Sequence, residues 1–240
     1  MLRSLLLLIC LTSALSAQTR VRDLQGAWES SFLDNEGRRS QLTMTIADGF
    51  MVMTAFNKKD GELISTLGGR WRADHDVFSL TYEFDSSDPS QVGGVAAIPY
   101  RLIGNTLVFN NDKFWTRTDA KQPGALAGAW EIIGRKRDGT MQDLSERRNG
   151  PRKTMKILSG KRFQWIAFDT DKKEMIATGG GRYTTNEDGL YIEKIEFFSR
   201  DPSRVGKQLS FDYKLRNGQW IHRGQSSKGK PVHEVWALRR

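Results

Sequence analysis

Two hexapeptides, Leu24-Gln25-Gly26-Ala27-Trp28-Glu29 and Leu126-Ala127-Gly128-Ala129-Trp130-Glu131, are nearly identical, and each heads a stretch of about a hundred residues. Further matches follow in the same order. Ala55-Phe56 pairs with Ala167-Phe168, Gly68-Gly69-Arg70-Trp71 with Gly180-Gly181-Arg182-Tyr183, and Glu83-Phe84 with Glu196-Phe197. Asp88-Pro89-Ser90 returns as Asp201-Pro202-Ser203, and Tyr100-x-Leu102 as Tyr213-x-Leu215. Chance does not preserve such an order, so the chain is an internal duplication. The offset between copies grows from 102 residues at the heads to 113 at the Asp-Pro-Ser loops. The second copy therefore gains its extra residues early, around Ser145 to Lys153. The expected division is a leader at 1–17, a first repeat at 18–118, a linker at 119–125 carrying Pro123-Gly124, and a second repeat at 126–240.

Inside each copy apolar residues alternate with polar ones, and turn residues interrupt them at short intervals, which is the period of strands. In the first copy this predicts strands over Ala27–Leu33, Gln41–Ala47, Phe50–Phe56, Leu63–Trp71, Val77–Phe84, Val95–Leu102, Thr106–Asn110 and Phe114–Arg117. Short connections such as Asp48-Gly49, Asp60-Gly61 and Gly104-Asn105 keep successive strands antiparallel neighbours. The expected fold is all-β: two tandem antiparallel up-and-down β-barrels of about eight short strands each. Closure removes the exposed sheet edges, and a barrel of this size is filled by side chains or holds one small ligand.

The N-terminus carries Arg3, an apolar run Leu5-Leu6-Leu7-Leu8-Ile9-Cys10-Leu11 and the small residues Ala14, Ser16 and Ala17, the pattern of a cleavable signal peptide. The run is too short to span a bilayer, which takes roughly 20 residues. No transmembrane segment is expected elsewhere, and the protein is expected to be secreted or periplasmic. Cys10, the only cysteine, follows Ile9 rather than a small residue, so no lipobox is present. A mature chain without cysteine has no disulfide framework and no thiolate site. The formal charge of +9 becomes +8 once Arg3 is removed. Basic and acidic residues are interleaved, and export argues against nucleic acid as partner; neither a cofactor nor a metal is expected.

The second copy also carries Gly181-Arg182-Tyr183, Tyr191-Ile192-Glu193, Gly206, Trp220-Ile221-His222-Arg223-Gly224, Gly229 and Glu234-Val235-Trp236. With the Gly-x-Trp heads, these residues resemble lipocalin and related calycin barrels. More specifically, they resemble the short lipocalin-like domains of secreted bacterial proteins, which mostly lack an assigned function. The resemblance implies a barrel able to bind a small ligand.

Strand alternation places Tyr191, Glu193, Ile195 and Phe197 on one face, Trp220 and His222 on another, and Val232, Glu234, Trp236 and Leu238 on a third. If all three faces point inward, two carboxylates and an imidazole meet among aromatic rings, where each needs a partner or a shifted pKa. The first copy has Leu80, Phe109 and Lys113 at the positions of Glu193, His222 and Glu234, so barrel closure does not require the polar trio. The site is expected in the second copy, with Tyr183, Tyr191, Glu193, Tyr213, Trp220, His222, Glu234 and Trp236 as ligand-binding residues. The competing structural reading makes the trio a satisfied network with Arg182 or Arg239.

Three functions follow from this reading. The first is a lipocalin-like protein binding a small, partly apolar ligand in the second barrel. The second is an isomerase, lyase or hydrolase acting on a small or sugar-derived substrate through Glu193, His222 and Glu234. The third is an envelope interaction module with both barrels filled.

Overall fold

The computed structural model describes residues 22–34, 36–119 and 123–239. The expected signal segment and Cys10, like the middle of the linker, lie outside the described residues. Eight strands form the first barrel: β1 (Gly26–Leu33), β2 (Arg39–Ala47), β3 (Phe50–Asn57), β4 (Leu63–Asp74), β5 (Val77–Asp85), β6 (Val95–Ile103), β7 (Thr106–Phe109) and β8 (Lys113–Arg117). Each pairs antiparallel with the next, and β8 returns to β1 through Trp28 opposite Arg117, so the sheet closes. The strands coincide with those the alternation predicts to within three residues.

The second barrel uses β9 (Gly128–Arg137), β11 (Arg152–Leu158), β12 (Arg162–Asp169), β13 (Glu174–Thr185), β14 (Leu190–Phe198), β15 (Gln208–Arg216), β16 (Gln219–Gln225) and β17 (Pro231–Leu238). It closes through β17 and β9. A short extra strand, β10 (Thr140–Asp143), folds back on the far end of β9, and a 3-10 turn at Ser145–Arg148 follows it. This hairpin and turn hold the second copy's early insertion, which therefore begins a few residues ahead of the stretch the repeat offset indicates.

The repeated heads have a shared physical role within the chain. Trp28 Nε1 donates to Leu24 O at 2.9 Å, and Trp130 Nε1 donates to Leu126 O at 3.0 Å. Each indole thus ties the entering chain across one end of its barrel while its ring is buried. The glycine two residues before the tryptophan has positive φ, 128° at Gly26 and 148° at Gly128, a conformation that side chains rarely adopt.

The two barrels pack face to face with a pseudo-twofold relation. Phe56 stacks on Phe197 with ring centroids 5.0 Å apart, and Phe84 meets Phe168 at 4.9 Å. Because Phe56 corresponds to Phe168 and Phe84 to Phe197, the two contacts are one contact used twice, as in an isologous dimer. Ala47, Val52, Met155, Ile157 and Ile166 complete this apolar layer. Gln164 accepts from Thr54 at 2.8 Å and donates to Thr66 at 3.1 Å and Thr178 at 3.0 Å, so the buried amide is satisfied from both barrels. On one flank Arg162 and Arg182 bridge Glu29 and Glu196. On the other, Arg239 clasps Glu83 through two hydrogen bonds of 2.5 and 2.9 Å. Phe50 stands where the second copy has Arg162, and the Arg239 guanidinium lies 4.4 Å over its ring.

Among the described residues no helix is long and apolar enough to cross a membrane.

Candidate functional site

The interiors of the two barrels differ. The first is filled by Trp28, Met44, Trp71, Phe78, Leu80, Leu107, Phe109 and Trp115, with Trp71 stacked on Phe78 at 5.3 Å and Phe109 set edge-on to Phe78 at the same distance. The second holds a part-open cavity of about 230 Å³. Its walls are Phe163, Trp165, Phe198, Leu209, Phe211, Val232 and Trp236, and its polar groups are Thr154, Lys156, Glu193, His222 and Glu234, with Arg204, Ser226 and Ser227 on the loops.

Strand register explains how the polar groups converge. Lys156 on β11 lies opposite Trp130 of β9 and Trp165 of β12, which fixes it on the inward face. Tyr191 and Glu193 are two apart on β14 and share that face. His222 on β16 pairs directly with Glu234 on β17, and Trp220 with Trp236.

Lys156 is the residue that the periodicity of the second copy does not single out. Its Nζ donates to Glu193 Oε1 at 3.0 Å, and Tyr191 Oη donates to the same oxygen at 2.8 Å. The ammonium also lies 5.0 Å from the Trp220 ring centroid, 5.5 Å from Tyr191, 5.6 Å from Trp236 and 5.9 Å from Phe211. Lys156 is 6% exposed and Glu193 5% exposed. A buried charge is tolerable only with such compensation, from its counter-ion and from aromatic faces. The structural reading that gave Glu193 to Arg182 or Arg239 is thus corrected: both arginines lie at the barrel interface, paired with Glu196 and Glu29 or with Glu83 and Glu131.

His222 has no ion-pair partner, and its Nδ1 is buried with no hydrogen-bond partner among the described residues. Its ring packs 4.1 Å from Phe211 and meets Tyr191 and Trp220 edge-on. Burial, reinforced by the Lys156 charge, holds its pKa well below the ordinary value, so the imidazole is neutral. Burial pushes the Glu234 carboxyl up. The Glu193 charge adds to that rise, while Lys156, the Trp236 indole and Arg135 oppose it. Trp236 Nε1 donates to Glu234 Oε2 at 3.2 Å. Although closely packed by protein, Glu234 keeps partial accessible surface, and it lines the cavity.

The expected binding residues separate into three groups. Glu193, His222, Glu234 and Trp236 line the cavity. Tyr191 and Trp220, both fully buried, pack behind them against Lys156 and His222. Tyr183 and Tyr213 lie away from it. Tyr183 donates to Ser159 O, and Tyr213 Oη donates to Asn186 O at 3.3 Å, so both hydroxyls tie loops to the barrel wall.

The family model for a domain of unknown function, DUF4488, matches residues 125–238. The DUF4488 match runs from the end of the linker through β17 and so takes in the whole second barrel, cavity included. It does not extend to the filled first barrel. No curated protein matches the chain.

At equivalent registers the first barrel replaces every polar member of this constellation. Met44 opposite Trp28 stands for Lys156 opposite Trp130. Phe78 stands for Tyr191 and Leu80 for Glu193, each paired as its counterpart is on the preceding strand. Phe109 and Lys113 face each other where His222 and Glu234 do. Among the described residues no group of three or more acidic, histidine or cysteine side chains is arranged to hold a metal ion. What the arrangement offers is a small aromatic chamber with a fixed ion pair, a neutral imidazole and a carboxyl of raised pKa.

Proposed function

We propose that the second barrel is a binding chamber for a small, partly apolar molecule in an exported, lipocalin-like protein of calycin type, and that the first barrel is its structural companion. One observation carries this reading. Four interior positions that are Met44, Phe78, Leu80 and Phe109 in a closed first barrel are Lys156, Tyr191, Glu193 and His222 in the second, and Glu234 lines the second barrel's cavity where the first has the exposed Lys113. A barrel gains no evident stability from a buried ion pair and an unpartnered imidazole compared with well-packed apolar groups. The polar set is explained by something it meets in the cavity. A concave, mostly apolar space with a few convergent polar groups is what ligand recognition requires. The leader at 1–17 supports an envelope or extracellular setting for that ligand.

Native mass spectrometry of the mature protein, purified from its own source, tests this directly. The expected result is a retained extra mass that is lost from a Glu193→Leu, His222→Phe double variant. A bare protein that also takes up nothing from a small-molecule library overturns the reading.

A second reading, turnover of the bound molecule, is favoured by a carboxyl pushed up and an imidazole pushed down at directly paired positions of β16 and β17, which equips one chamber with an acid and a base at the same pH. Loss of product formation in Glu234→Gln with unchanged ligand retention is the result that distinguishes it.

A further inference from the structure

The geometry points to a neutral, polyhydroxylated ring of monosaccharide size as the ligand class of the second barrel. The inference rests on the binding reading above and narrows it.

The argument begins with charge. Lys156 is already compensated by Glu193 at 3.0 Å. A cationic ligand would meet the Lys156 ammonium, and an anionic one would meet the Glu193 and Glu234 carboxyls on the same wall. Either approach places like charges together in a chamber that screens them poorly. Arg204 is paired with Asp201 and His222 is held neutral by its surroundings, so the only unpaired charge a guest could meet among the described residues is that of Glu234, whose carboxyl burial pushes toward its neutral form.

Hydrogen-bonding capacity comes next. Glu193 Oε1 takes both internal donors, and Glu234 Oε2 takes the Trp236 indole, so the second oxygen of each carboxyl carries no hydrogen bond among the described residues. Lys156 spends a single N–H on Glu193. The His222 imidazole is unpartnered at Nδ1. Donors and acceptors therefore alternate over a short span of wall. A hydroxyl both donates and accepts, so several on one molecule match such a surface whichever way its protons settle. A purely aliphatic guest would leave these groups unmet, a penalty that sites built for hydroxyls use to reject deoxygenated analogues.

Further polar groups line the same chamber. Thr154 stands on the wall, and Ser226, Ser227 and Arg204 sit on the loops after β16 and β14. The rest of the lining is largely aromatic, including Trp165 and Trp236. Hydroxyls that meet polar groups, on a ring whose apolar face packs against aromatic side chains, are the chemistry of a cyclic polyol. The volume of about 230 Å³ lies below the 300 Å³ or so at which drug-sized pockets begin, which suits a single small ring.

The test uses the full mature protein and three sets of probes with one ring size. Neutral probes are D-glucose, D-galactose, D-mannose, their methyl glycosides and myo-inositol; charged probes are D-glucuronate and D-glucosamine; the apolar probe is cyclohexanol. Tryptophan fluorescence and thermal shift are read for wild type and for His222→Phe, a substitution that the first barrel accommodates at Phe109. Saturable binding of at least one neutral polyol, at least tenfold tighter than its charged analogues and at least tenfold weaker in His222→Phe, is the expected result. Preferential binding of glucuronate, glucosamine or cyclohexanol overturns the ligand class and leaves the chamber reading standing. The same separation holds if no probe binds but the native protein retains a mass that is not a polyol. If no probe binds and the native protein is bare, both readings fall.

Discussion

Lys156 and Glu193 meet at 3.0 Å inside the second barrel, and the first barrel puts Met44 and Leu80 at the same two positions. The internal repeat thus supplies its own control for the energetics of the pair. Lys156→Met alone leaves a carboxylate buried without its counter-ion, and Glu193→Leu alone leaves the ammonium. Each is expected to cost about 3–5 kcal/mol. The double variant Lys156→Met, Glu193→Leu restores an apolar pair and is expected to unfold within about 1 kcal/mol of wild type or above it. Urea unfolding of the four proteins checks this. A double variant as weak as the singles would make the pair a structural requirement of this barrel.

Stability should depend on pH through two groups of opposite sign. The Glu234 carboxyl has its folded pKa raised above the ordinary 4.5, so its contribution is complete below that value and is lost as pH rises through the folded pKa. The His222 imidazole has its folded pKa depressed below 6.5, so its contribution is present above that value and is lost as pH falls toward the folded pKa. Glu234→Gln is therefore expected to gain on wild type in melting temperature as pH rises above about 4.5, and His222→Phe to gain as pH falls below about 6.5. Melting curves across pH 4 to 9 read both; a parallel offset at every pH contradicts them.

Strand order and closure were legible because alternation and turn residues are local signals, and each copy states them independently. The inward placement of Glu193, His222 and Glu234 was legible for the same reason, since a face is fixed by counting in twos; the count fails past Ile195, where the register shift turns Phe197 out of the barrel to meet Phe56. Lys156 was not. It sits in Met155-Lys156-Ile157-Leu158, directly after the insertion that breaks the repeat alignment, so its match to Met44 is hidden until register links Trp130 to it. A lysine two residues before a buried leucine on the same face is the signal that was available. Tyr183 and Tyr213 share the inward face but not the cavity lining, because alternation fixes a face and not a height along the barrel. Their hydroxyls reach loop carbonyls away from the chamber.

A bulge at Glu196 bends β14 opposite Gly180 and Gly181 of β13, as one at Glu83 bends β5 opposite Gly68 and Gly69 of β4. A Cβ on Gly181 would stand 2.0 Å from Lys194 O, and one on Gly69 would stand 1.9 Å from Thr81 O. The obstacle is backbone of the neighbouring strand, which cannot swing aside as a side chain can. Gly181→Ala and Gly69→Ala are each expected to destabilise by about 3 kcal/mol or more. Since Gly180 lines the chamber beside that bend, Gly181→Ala alone should also disturb ligand retention. Chemical unfolding and native mass spectrometry of the two variants compare the effects; a Gly181→Ala protein with wild-type stability rules out the close approach.

Phe56 on Phe197 and Phe84 on Phe168 make the interface between barrels resemble an interior more than a surface, and the buried amide of Gln164 is satisfied only when both barrels are present. A unit of about a hundred residues buries a modest share of its chain, so each barrel draws stability from the other. The full protein is therefore expected to melt in a single cooperative transition. Gln164→Leu removes three hydrogen bonds, and the loss of satisfied partners should lower stability by about 1–3 kcal/mol without separating the barrels. Phe56→Ala with Phe84→Ala strips one ring from each of the paired contacts and leaves cavities at both, which is expected to split the calorimetric trace into two transitions. Two transitions in the wild-type protein would mean that the barrels fold as independent units. The apolar layer would then orient the chamber without stabilising it.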